Sequence, residues 1–183
     1  MSLTQEKILA NTKKYFETAK NNDFMTDELM AFLGESFINA PASTMDSLHN
    51  AFEGGLVDHL LRVAFYAVKF NNALPEDKKV DQKSLLKVSL LHQIGKAKLY
   101  VDGPEWAKKN GKHYDFNNAL VSMRVSERSV YYATANGVSF TEEEFGAILM
   151  SDKTDDKQAE YHNSTLGDLL KMANLFAIKH EKN

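Results

Sequence analysis

The sequence predicts an all-α domain with room for one short hairpin. Apolar residues recur at three- and four-residue spacing along most of the chain, which is the period of a helix with one buried face. The segments so marked open at residues suited to capping. No run of alternating apolar and polar residues is long enough for a sizeable sheet. The 183 residues suffice for one domain with a full core and are short for two. The chain is therefore read as a single domain, 1–183, with helices over 4–40 packed against the rest.

Residues 4–21 carry Ile8, Leu9, Tyr15 and Phe16 among charges, an amphipathic helix. Thr26-Asp27-Glu28 opens a second helix with capping chemistry. Pro41-Ala42-Ser43 breaks the pattern before His49, and Gly54-Gly55 marks a tight turn leading into a helix over 56–70. Asp81 is a good N-cap for the next helix, which carries Leu85, Leu86, Val88, Leu90 and Leu91 and stops near Gly95. The stretch 97–114 holds Gly103-Pro104 and Gly111 and is read as irregular, the place for a short hairpin. Trp106, Tyr114 and Phe116 around it are expected to form a small satellite core, with a lid that stacks on a base as the alternative. A helix over 126–136 ends at Asn136-Gly137. Thr141 and Glu144 then make a capping box for the following helix. The polar stretch 151–158 reads as a surface loop, and a last helix starts near Ser164.

Net charge is −3 with both signs interspersed, so no basic block argues for a dedicated nucleic-acid surface. No segment approaches the length of a membrane span. There is no cysteine, which excludes disulfides and thiolate metal sites. No apolar signal region is apparent at the N-terminus, and the expectation is a cytoplasmic protein.

Two histidines fall where an imidazole is costly. His59 lies at the edge of the apolar stripe of its helix, beside Val63; His92 falls on the Leu85 and Val88 face of its own. A buried imidazole needs a hydrogen-bond partner or a metal. The surrounding sequence is distinctive. One segment reads His49-Asn50-Ala51-Phe52-Glu53-Gly54-Gly55-Leu56-Val57-Asp58-His59, and another reads Leu90-Leu91-His92-Gln93-Ile94-Gly95-Lys96. As a pair they resemble the HD superfamily of metal-dependent phosphohydrolases, with its Gly-Gly-Leu…His helix and its Leu-Leu-His-Asp-Ile-Gly-Lys turn. Weaker echoes in 127–130, 141–148 and 166–177 extend the resemblance over about 45–178; the first two of these look like a stretch of some bacterial and phage members.

That resemblance implies a metal site built from a first His, the His-Asp doublet and a distal Asp. Carried over residue by residue, these positions are His59, His92, Gln93 and Asn174. Amides stand at both carboxylate positions, and no His follows the Ala147-Ile148 pair where many relatives place one. A neutral set of this kind is expected to hold Mg2+ or Mn2+ poorly and to suit an imidazole-preferring ion such as Zn2+ or Ni2+ better. Compensating acids would come from Glu53, Asp58, Asp152 or Asp168, each of which also reads as an ordinary surface carboxylate. Lys96 and Arg128 are the candidate phosphate-binding cations; Lys96 equally suits the dipole at a helix C-terminus. His49 and His162 are candidates for the pocket rim, while His113 and His180 read as surface residues.

Three functions follow as expectations. The leading one is a phosphohydrolase-like protein that binds a nucleotide or other phosphorylated ligand with little or no turnover. The second is an active phosphohydrolase with a rearranged site. The third is a regulatory module without a ligand, acting through a protein partner.

Overall fold

The computed structural model describes residues 2–152 and 163–181. His162 and most of the polar stretch 151–158 lie outside the described residues. Eight α-helices, two short 3-10 turns (Glu76–Lys78 and Ile94–Lys96) and one two-stranded antiparallel hairpin make up the regular structure among them. The helices are α1 (Gln5–Asn21), α2 (Asp27–Ile38), α3 (Gly55–Ala73), α4 (Gln82–Leu91), α5 (Glu105–Lys108), α6 (Val125–Ala135), α7 (Glu142–Met150) and α8 (Thr165–Glu181). The hairpin pairs β1 (Tyr100–Asp102) with β2 (Tyr114–Phe116), in the register Tyr100 opposite Phe116.

Helix starts follow the capping chemistry of the sequence. Thr26, Asp81 and Thr141 each accept a hydrogen bond from the backbone N–H three residues on, and Glu144 closes the capping box with Thr141. Helix α3 is the central element. Helices α1, α2, α4 and α8 pack on it, and α7 bridges α8 to α6. One connected core runs through these helices, from Tyr15 through Leu29, Leu60 and Leu90 to Ile148 and Ala177. Tyr15 is fully buried, and its hydroxyl donates to the Leu90 carbonyl at 2.8 Å, which satisfies the one polar atom it carries into the core. Burial accordingly pushes the phenol far above its ordinary range.

The expected satellite core does not form. Trp106 is 71% exposed and Phe116 is 56% exposed. The reason is local: α5 is a single turn whose buried residue is Ala107, so the Trp106 ring faces outward. The Phe116 ring meets that of Tyr100 across the hairpin, at 5.6 Å, and gains no cover from Trp106.

Candidate functional site

Three chain segments deliver the site. The first is the turn into α3. Gly54 takes φ 76, the left-handed region that favours glycine. At Gly55 a Cβ would lie 2.3 Å from the Asn50 carbonyl oxygen, so the chain 40–50 can press against the start of α3. One turn later His59 enters the core with Leu56, Leu60 and Val63 and is fully buried. The second segment is the end of α4. His92 caps that helix and its N–H still bonds to the Val88 carbonyl, after which Gln93 leaves helical geometry. The third is α8, which brings Asn174 and Glu181 to one face, seven residues apart.

These side chains meet. The rings of His59 and His92 are 6.2 Å apart between centroids, and the His49 ring is 4.8 Å from that of His59. His59 Nε2 lies 3.1 Å from Asn174 Oδ1, and His59 Nδ1 lies 2.8 Å from Glu181 Oε2. The Gln93 amide reaches Asn174 Oδ1 at 3.5 Å. Lys96 is only 8% exposed, and its ammonium donates to Gln93 Oε1 at 2.7 Å and to the Ala42 carbonyl at 2.6 Å. His92 Nδ1 donates to the Ser89 carbonyl at 2.9 Å. That bond leaves Nε2 as the unprotonated nitrogen, buried beside the Asn174 amide with no hydrogen bond of ordinary geometry among the described residues.

The polarity of the network follows from its cation. Lys96 has only donors, so Gln93 must turn its oxygen to Lys96 and its NH2 to Asn174. Asn174 Oδ1 therefore accepts, and His59 Nε2 carries a proton to give it. One more proton must then lie between His59 Nδ1 and Glu181. Burial pushes the Glu181 carboxyl up to about 8, against the opposing pull of Arg62, whose Nε lies 3.1 Å from Oε1. Burial first, and Lys96 second, push the His59 imidazole down to about 3. Both displacements favour an uncharged pair, with Glu181 donating to His59 Nδ1. His92 is likewise held down to about 3 by burial and then by His59, and burial lowers Lys96 to about 8.

The sequence-derived candidates divide clearly. His59, His92, Gln93 and Asn174 come together, and His49 stands beside them. Lys96 is at the site but already bonded within the protein. Arg128 is apart from the histidines: it is buried, and its Nη2 donates to the Val121 carbonyl at 2.6 Å. Of the four candidate acids, Asp58 bonds to Asn11, Asn50 and Arg62, Asp152 to Ser126, and Asp168 to Asn163. Glu53 lies on the surface. The carboxylate that touches His59, Glu181, was not among them. Its signal in the sequence was its place seven residues beyond Asn174, two turns along the same helical face. His49, His59 and Glu181 together offer nitrogen and oxygen atoms within 4.8 Å of one another.

The donor set does not fit a hard divalent ion. Gln93 Oε1 faces an ammonium, and Glu181 approaches His59 on Nδ1, the nitrogen opposite Asn174. It fits an imidazole-preferring ion better, because the buried Nε2 of His92 offers a lone pair beside the Asn174 amide and both imidazoles are held neutral. No protein-family model, curated protein or solved structure matches this chain.

Proposed function

We propose that this chain is an HD-superfamily phosphohydrolase-like protein that binds a nucleotide or other phosphorylated ligand with little or no turnover. The observation that carries the reading is the Lys96–Gln93 contact. Where an HD-type site presents a carboxylate to a metal, this chain presents an amide oxygen already bonded to a buried ammonium at 2.7 Å. Both consequences weaken hydrolysis: less attraction for a divalent cation, and no carboxylate beside it to orient water. His59 and His92 are fully buried, which removes them further from bulk solvent and from a substrate.

The buried lone pair on His92 Nε2 favours a qualified version of this reading, in which Zn2+ or Ni2+ is held instead of Mg2+ or Mn2+. His59 Nε2, His92 Nε2 and Asn174 Oδ1 would be the donors. The chemistry such an ion supplies when bound is polarisation of a phosphoryl oxygen. One of the two protons of the His59–Glu181 pair would then be released to solvent, and the Glu181 carboxylate would accept a hydrogen bond from His59 Nδ1–H, leaving Nε2 to the ion.

The test is elemental analysis of protein purified without chelator, followed by a screen of nucleotide phosphoesters with each of the four ions and by thermal melts with the same nucleotides. Little bound Mg2+ or Mn2+, no turnover above background and a nucleotide-dependent rise in melting temperature are expected. Near-stoichiometric Mg2+ or Mn2+ with turnover abolished by His92→Ala would establish an active enzyme instead. Absence of any nucleotide response would leave the protein-interaction module as the reading.

A further inference from the structure

Away from the histidine cluster, where Gln93 and Lys96 are already bonded to each other, a second cavity is large enough for a ligand. It lies between the hairpin and the start of α6, has a volume of about 680 Å3, and is lined by Phe116, Asn117, Asn118, Arg124, Arg128 and Asp152 among others. That size is in the ordinary range for small-ligand pockets. Arg128 supplies a positive charge at the cavity wall. It is 5% exposed, its Nη2 is bonded to the Val121 carbonyl, and its Nε meets no partner among the described residues. The guanidinium lines the cavity, so an anion there gains its charge although Nε itself is buried. Arg124, exposed at the N-cap of α6, adds a second guanidinium at the same wall. The two make a suitable clamp for phosphate oxygens.

We propose that this cavity binds the phosphate of a mononucleotide on Arg124 and Arg128, with the base against the exposed ring of Phe116. This rests on the reading that the protein binds a phosphorylated ligand, and it names the site and the class. Asn117 and Asn118 line the same cavity and offer amide donors and acceptors to a base edge or a ribose. Asp152 does not neutralise the clamp from a free position. Its two oxygens accept from the Ser126 N–H at 3.1 Å and the Ser126 hydroxyl at 2.9 Å, which holds it at the N-terminus of α6. The ligand is recognised by its charge and its aromatic face together, and adenosine, which lacks the charge, binds more weakly than AMP.

The experiment is calorimetric titration of the full chain with AMP, ADP, adenosine and pyrophosphate, with EDTA present throughout. The variants are Arg124→Glu and Phe116→Ala, two exposed positions that leave the buried Arg128 and its contacts in place. AMP or ADP is expected to bind without metal, with affinity lowered about tenfold or more by Arg124→Glu and adenosine the weakest of the nucleoside ligands. Phe116→Ala is expected to weaken AMP while leaving pyrophosphate unchanged. If nucleotides bind the parent and both variants equally, the assignment of this cavity is wrong while the phosphorylated-ligand reading stands. If neither nucleotides nor pyrophosphate bind the parent, both are wrong.

Discussion

Replacing Glu181 by glutamine tests the proton placed between α8 and α3. The carboxyl is buried against His59, and burial raises it from 4.5 to about 8. The unfolded chain gives up this proton near 4.5 while the folded chain keeps it to about 8, so between those values the folded state holds more protons. Stability is therefore fully present below 4.5 and is lost as pH rises through 8. At about 1.4 kcal/mol per pH unit the full loss is about 5 kcal/mol. The ionised carboxylate also has an exit, because Glu181 sits in the last turn of α8 and that turn can unwind locally. Local unwinding caps the global effect, so a gap of up to about 5 kcal/mol is expected to open between about pH 4 and pH 9. The Glu181→Gln variant carries no such proton, but its new amide can donate an N–H to His59 Nδ1, so its profile should lack the alkaline decline. Both proteins should share the acid decline from His59 and His92, whose contribution is present above 6.5 and lost as pH falls toward about 3. Urea denaturation of the two proteins across this pH range measures the gap, and the nitrogen shifts of His59 report whether Nε2 carries the proton. Parallel stability profiles, or a proton on Nδ1 alone at neutral pH, would refute the network's polarity.

Other outcomes follow from the same geometry. Gln93→Asp with Asn174→Asp sets two carboxylates beside the histidines; without metal the melting temperature should fall by roughly 5–10 °C. Added Mn2+ should restore it in the double variant and not in the parent. Equal melts with no response in either would show that the site no longer has metal-binding geometry. Tyr15→Phe removes the bond to the Leu90 carbonyl and leaves that carbonyl buried, for a loss of about 1–3 kcal/mol in chemical denaturation; no measurable loss would show that the carbonyl finds another partner. Gly55→Ala forces a Cβ into the Asn50 carbonyl, so loss of protection from hydrogen exchange is expected at the start of α3, and unchanged exchange there would contradict that close contact.

The helices were legible because their causes are local. Thr26, Asp81 and Thr141 cap the N–H groups three residues ahead, Gly54 supplies the left-handed turn, and the spacing of Leu56, His59, Leu60 and Val63 marks the buried face of α3. The hairpin was foreseen as a place in the chain, but its register and the outward turn of Trp106 were not, since a single-turn helix presents too few residues to show a period. The meeting of His59, His92, Gln93 and Asn174 was anticipated through the family resemblance rather than through periodicity. What only the tertiary structure decided is how they are bonded. Glu181 lies 122 residues from His59, Asn174 lies 115 from it, and Ala42 lies 54 from Lys96. No local rule relates residues at such distances; their contact depends on how α8 and the chain around 42 pack on α3. Burial then sets the protonation of the cluster, because moving a charge out of water costs more than the reference chemistry of any one side chain can reveal.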